Sequence, residues 1–182
     1  MLLCPEKAIR EQEKAIGKVQ EGVSGNVRVY TGIMNAGEAS GIPIIKNLLE
    51  KSILDNTFPV FVDCPPGSSC IVMESIKDAD YCILVAEPTV FGVYNLSMVY
   101  DLVRLFNKPH GVVLNKCLDG ENPAESFCVE NNVPILGRIP FENNLGSLNS
   151  NAKIATRESE RYKVLFSSLL ETVMKEVLHE TT

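Results

Sequence analysis

Short apolar runs alternate along this chain with amphipathic segments. "NVRVYTG" (26–32), "FPVFVDC" (58–64), "YCILVAEP" (81–88), "HGVVLNK" (110–116) and "VPILGRIP" (133–140) read as strands. Three of them are near-continuous hydrophobic runs, the pattern that parallel strands buried on both faces require. Between the runs the apolar spacing changes to i, i+3, i+4, i+7. In "FGVYNLSMVYDLVRLFN" this places Val99, Leu102, Val103 and Phe106 on one helical face. A later stripe of Tyr162, Leu165, Phe166, Leu169, Leu170, Val173 and Val177 predicts a final helix, with Thr156 placed to cap its start. Strands alternating with helices predict an α/β fold with a doubly wound, mostly parallel sheet. In such sheets ligands bind beyond the carboxyl ends of the strands. Asp63, Glu87 with Pro88, Asn115 with Lys116, and Pro140 are all expected there.

Composition narrows the function classes. With 182 residues, 45% apolar and 22% charged, the chain suits one globular domain with a real core. A formal net charge of −6 supplies no basic field for nucleic-acid phosphates, so no nucleic-acid partner is expected. No run approaches the roughly 18 apolar residues of a membrane span, and "MLLCPEKAIREQEK" turns charged too early for a secretory signal. The expectation is a cytoplasmic protein. Its six cysteines are then reduced thiols, and Cys82, inside "YCILVA", reads as a small hydrophobe.

The stretch "FVDCPPGSS" (61–69) carries the most chemistry. A carboxylate at a strand tip, here Asp63, can hold a magnesium ion through water while the metal bridges phosphate oxygens. Pro65 and Pro66 stop the strand, and Gly67 lets the backbone approach a phosphate. The same residues also read as an ordinary turn capped by Asp63. In "GEASG" (37–41), Ser40 reads as the cap of a helix through Ile44, Ile45, Leu48 and Leu49, and Glu38 as an acidic group near its amino end. Ser68 and Ser69 read as phosphate donors or, the favoured reading, as the start of a helix toward Met73 and Ile76, and Glu158, Glu160 and Arg161 read as a solvated helix face. His110 and His179 have no acidic or cysteine partner nearby in sequence and receive no catalytic or zinc assignment.

Taken in order, "VFVDCPPGSS", "DADYCILVAEPTVFGVYNLSMVYDLVRLF", "HGVVLNK" and "PILGRIPFE" resemble the MinD/ParA/Mrp group of P-loop ATPases over roughly residues 58–142. The resemblance implies ATP or ADP with Mg²⁺ as ligands. It makes Asp63 the Walker B residue that holds magnesium through water, puts Pro66 and Gly67 on the phosphate side, and puts Asn115, Lys116, Pro140 and Phe141 on the adenine side. The amino terminus narrows the comparison. "CPEKAI" resembles the close of a bacterial ferredoxin module, and "VRVYTGIMNAGEASGIPIIKNLLEKS" resembles the segment that follows it in MinD-superfamily ATPases carrying an inserted 4Fe-4S ferredoxin domain. By that resemblance residues 1–25 are a remnant of the insert and a linker, residues 26–182 are an incomplete MinD-like nucleotide-binding domain, and Glu38 and Ser40 are candidates for a switch.

Two departures reshape these expectations. No G-x-x-x-x-G-K-[ST] occurs, so the fold is expected to lack the amino-terminal P-loop strand, and hydrolysis of ATP by this chain alone is not expected. Nucleotide binding by the chain alone is thereby put in question. Cys4 is the one cysteine left of the ferredoxin set, and one thiolate does not hold a cluster. The strand ending at Asp63 would present an unpaired edge, so a homodimer or a partner chain supplying the missing P-loop half is expected. Three functions remain: the carboxyl-terminal portion of an iron-sulfur-associated, MinD-like ATPase; a non-enzymatic docking or scaffold module derived from one; or an ATP-dependent ligase of the dethiobiotin synthetase and cobyrinate amidase group.

Overall fold

Gly25, at a φ of +61°, reverses the chain between two strands, β1 (Gly17–Ser24) and β2 (Val27–Met34). They pair antiparallel as a two-stranded ribbon, with Glu21 opposite Tyr30 and Val19 opposite Gly32. Helix α1 (Ile42–Leu54) lies on this ribbon. A side chain at Gly17 or Gly32 would collide with Ile44, and one at Gly32 also with Leu48, so the two glycines make room for the helix. The hydroxyl of Ser40 accepts from the Ile42 N–H at 3.3 Å, the capping role expected of it.

The computed structural model describes residues 12–54 and 59–180. The chain divides into two compact units between Pro65 and Pro66. The strand expected at 26–32 is therefore real, yet it belongs to an antiparallel hairpin in the first unit and not to the parallel sheet. The boundary expected between residues 25 and 26 falls in the turn of that hairpin.

The second unit holds a parallel sheet in the order β3 (Cys82–Ala86), β4 (His110–Cys117), β5 (Ile135–Pro140). The same unit carries α2 (Cys70–Ile76), α3 (Val90–Leu105), α4 (Pro123–Glu130), α5 (Asn143–Ser150), α6 (Ala155–Glu158) and α7 (Glu160–Glu180). Helix α3 packs on β3 and α4, which also meets β4. Tyr100 of α3 sets its ring edge-on to His110 of β4 and Phe127 of α4, with centroids 5.4 and 5.5 Å away. Helix α7 packs on β5, and Val173 joins Val113 and Leu136 in an apolar cluster with Leu169 and Val177. The strand period of two puts Val112 and Leu114 on the face opposite Val113. Cys82, Leu84 and Ala86 are buried in β3, while Ile83 and Val85 on its other face remain partly exposed.

Four local expectations are corrected. Residues 59–64 form no strand, and Phe58 lies outside the described residues. A strand exists only through a neighbour's hydrogen bonds, and among the described residues none pairs with this stretch. Val60, Phe61 and Val62 are accordingly exposed. Thr156 sits inside the one-turn helix α6 and does not cap α7. Leu170 points away from the α7 core face and is exposed. Ser69 is the residue before α2, as expected, but its side chain makes no capping bond.

Leu114 has no solvent exposure and sits in the strand that is paired on both sides. Leu114→Ala is expected to lower the unfolding free energy by about 3 kcal/mol through lost burial and a residual cavity. Urea denaturation followed by circular dichroism measures this directly; a loss below about 1 kcal/mol would show that β4 is not the core strand.

Candidate functional site

The carboxyl ends of β3, β4 and β5 each terminate in a tightly specified turn. After β3, the Thr89 N–H donates to the Glu87 carbonyl at 2.8 Å, and the Thr89 hydroxyl caps α3 by accepting from Gly92 N–H at 2.9 Å. A Cβ at Gly92 would collide with the Glu87 carbonyl, so this strand-to-helix turn admits only glycine. After β4's apolar run, Lys116 adopts the left-handed conformation at a φ of +56°, a conformation that carries strain for any residue but glycine. The Asn115 side-chain oxygen accepts from the Lys116 N–H at 3.0 Å and steadies the turn.

Lys116 Nζ lies 2.6 Å from Glu87 Oε1, joining the tips of β3 and β4. Both side chains are about half exposed, at 53% and 46%, so the pair contributes no more than about 1 kcal/mol and can exchange partners. At β5, Pro140 ends the strand and the Phe141 N–H donates to the Cys117 carbonyl at 2.9 Å. The Phe141 ring stays exposed. Glu142 then precedes α5, and its carboxylate accepts from Tyr162 Oη at 2.8 Å and from the Arg161 guanidinium, both on α7. Val90, Phe91 and Leu118 follow the ends of β3 and β4 and are exposed too.

Behind these tips lie two thiols. Burial pushes the Cys117 thiol up, opposed by the nearby Arg138 charge, and burial likewise raises Cys128. Neither has the thiolate character of a nucleophile. Arg138 pairs with Glu125, and its hydrogen bonds hold that carboxyl below the usual range.

The structure therefore gathers Asn115, Lys116, Pro140 and Phe141 at one end of the parallel sheet. Pro66 and Gly67 open the second unit, with Gly67 at a φ of +91° that favours glycine. Asp63 belongs to the first unit, exposed in a stretch without assigned secondary structure and not at a strand tip. Glu38 and Ser40 also belong to the first unit: Ser40 caps α1, and the mostly buried Glu38 carboxylate pairs with Lys14 at 2.8 Å. Cys4 lies outside the described residues. Among the described residues no three His, Cys, Asp or Glu side chains converge on a metal position, and no helix is long and apolar enough to cross a membrane. Sequence reasoning missed Glu87 as the partner of Lys116. It also left Glu142 unassigned and read Arg161 as merely solvated; the one local hint was Glu142 two residues after the β5 proline, just before α5.

These features define an α/β protein with a parallel sheet, a class in which ligands generally bind beyond the carboxyl ends of the strands. No family model matches the chain. Its fold is that of the MinD cell division proteins: the MinD cell division protein of Aquifex aeolicus superposes with a TM-score of 0.63 at 17% identity, covering 74% of this chain and 61% of that one. The cell division ATPase MinD of Pyrococcus furiosus gives 0.61 at 23%, covering 74% and 58%. At these identities the likeness establishes the fold alone. Two uncharacterized proteins of Methanocaldococcus jannaschii are similar in sequence. One is 30% identical over 105 residues, 58% of this chain and 39% of its own length; the other is 26% identical over 160 residues, 86% and 55%. The chain thus spans about half or less of the relatives it matches.

Glu125 has its carboxyl lowered by Arg138, so the pair's contribution is present above the ordinary carboxylate range and is lost as pH falls through the lowered value. Arg138→Ala is expected to move the Glu125 pKa upward, read by carboxyl-carbon NMR titration. An unmoved Glu125 would mean that the pairing does not persist in solution.

Proposed function

We propose that the chain is the carboxyl-terminal portion of a MinD-like, ATP-binding protein of the iron-sulfur-associated kind, working in the cytoplasm. The carrying observation is the MinD fold with Asn115, Lys116, Pro140 and Phe141 together on the ligand side of its sheet. In this reading those four residues receive the adenine. The Glu87 to Lys116 pair, exposed and exchangeable, frees a cation near the nucleotide when it opens.

Pro66 and Gly67 approach the phosphates, where the left-handed glycine brings backbone close without a side chain in the way. Asp63 supplies the metal carboxylate. An exposed carboxylate suits a magnesium ion, which keeps most of its waters and takes one or two protein carboxylates. When bound, the ion neutralises phosphate charge. The sequence has no P-loop lysine and a second copy would lack it as well, so in this reading the missing half comes from a partner chain, and hydrolysis does not occur without it. Cys4 alone holds no cluster. Glu38 is bonded to Lys14 and Ser40 to α1, so any switching there begins by breaking those contacts.

A second reading is a docking module without nucleotide. One observation favours it: Val90 and Phe91 stand almost fully exposed, at 81% each, immediately after β3.

Calorimetric titration with ATP and ADP in magnesium separates the two. Binding on the order of micromolar is expected, about −8 kcal/mol, weakened at least tenfold by Asp63→Ala and without turnover. No heat up to millimolar nucleotide would leave the docking module as the function, and magnesium-dependent turnover abolished by Asp63→Ala would overturn the requirement for a second half.

A further inference from the structure

We propose that Glu142 is the positioning residue of the ligand side: it fixes where the Phe141 ring stands, and that ring is the flat face offered to a planar base. The inference rests on the nucleotide reading above and adds to it the residue that orients the base contact.

Phe141 is held from both directions. On one side its N–H bonds to the Cys117 carbonyl at 2.9 Å, which ties it to the end of the doubly paired strand β4. On the other side stands Glu142, in extended backbone at a φ of −135° and ψ of 124°. A residue in this place ordinarily turns its side chain onto its own helix. Glu142 makes no such capping bond. Its carboxylate reaches α7 instead, taking the Tyr162 hydroxyl at 2.8 Å and the Arg161 guanidinium.

Tyr162 is 2% exposed and locked in the core, so it is a fixed donor, and a charged acceptor makes the bond stronger than a neutral one. The Glu142 side chain is itself mostly covered, at 18% exposure, while the Phe141 ring stays 54% exposed. An aromatic ring left open to solvent on an immobilised backbone loses little freedom when a flat partner stacks on it. Every base has such a face. A merely structural role for Glu142 would account for the α7 contacts, but it would not tie ligand affinity to the base rather than to the phosphates.

The test compares wild type, Glu142→Ala, Glu142→Gln and Tyr162→Phe as full chains. Hydrogen exchange is read at the Phe141 amide, and calorimetric affinity is read for ATP and for inorganic tripolyphosphate, which has no base. Glu142→Ala is expected to lose Phe141 protection and to weaken ATP about tenfold, the scale of one lost stacking contact, while tripolyphosphate affinity is unchanged. Glu142→Gln keeps an acceptor for Tyr162 and is expected to fall between it and wild type. Tyr162→Phe removes one hydroxyl, keeps the ring that fills the core, and shows the same direction if Glu142→Ala fails to fold. Unchanged Phe141 protection in both the Glu142→Ala and the Tyr162→Phe chains overturns the clamp. Lost protection with ATP and tripolyphosphate affinities that change together, or not at all, overturns the positioning role. Protection that falls in the expected order in a chain whose wild type binds no ATP upholds the clamp and refutes the nucleotide reading to which it was joined.

Discussion

The second unit depends on β4 being hydrogen-bonded on both sides and covered on both faces. Val112 and Leu114 have no solvent exposure, and Val113 on the opposite face meets Val173 of the last helix. A parallel strand tolerates this only when all of its backbone groups are paired and helices close over it. The same constraint makes the site. A strand this firmly held can end in a strained lysine, and its carbonyl at Cys117 can anchor the first residue beyond β5. The turns at the carboxyl ends of the strands are thus an outgrowth of the core, with the strain at Lys116 opposed by the packing behind it.

The edges show the reverse condition. Among the described residues β3 is bonded on one side, and part of its outward face, Ile83 and Val85, is exposed. Residues 59–64, with Val60, Phe61 and Val62 exposed, pair with no strand among the described residues. Unpaired strand edges with apolar side chains are templates for another strand, and natural proteins cover or blunt them. That supports the proposed partner strand, from a second copy or another chain, and it explains why Asp63 does not stand at a strand tip here. A carboxylate is positioned only as well as the segment that carries it.

Much of the second unit was legible in the residues because burial on two faces imposes its own signature. "YCILVAEP", "HGVVLNK" and "VPILGRIP" contain β3, β4 and β5, since no loop or surface helix would tolerate such runs. Helix α3 and the start of the α7 stripe were legible for the same reason, with Leu102, Val103 and Tyr162 buried as their spacing requires. The run at 58–64 shows the limit of that logic. Apolar residues state that a segment suits burial, but a strand needs a neighbour, and the neighbour is not a local property. β1 was hidden because "GKVQEGVS" has just two apolar positions outside glycine, and its stability comes from pairing with β2. The clamp of Glu142 with Arg161 and Tyr162 was hidden because its members lie 19 and 20 residues apart and meet only once α7 is folded.

The account is tested most directly by amide hydrogen exchange of the free chain followed by mass spectrometry. It requires β4 to be the slowest-exchanging segment and residues 60–64 to exchange near the rate of an unstructured chain, because exchange follows local hydrogen bonding and burial. Protection of 60–64 equal to that of β4 would contradict it, showing that the stretch carrying Asp63 is already paired and that the sheet is not organised around β4 alone.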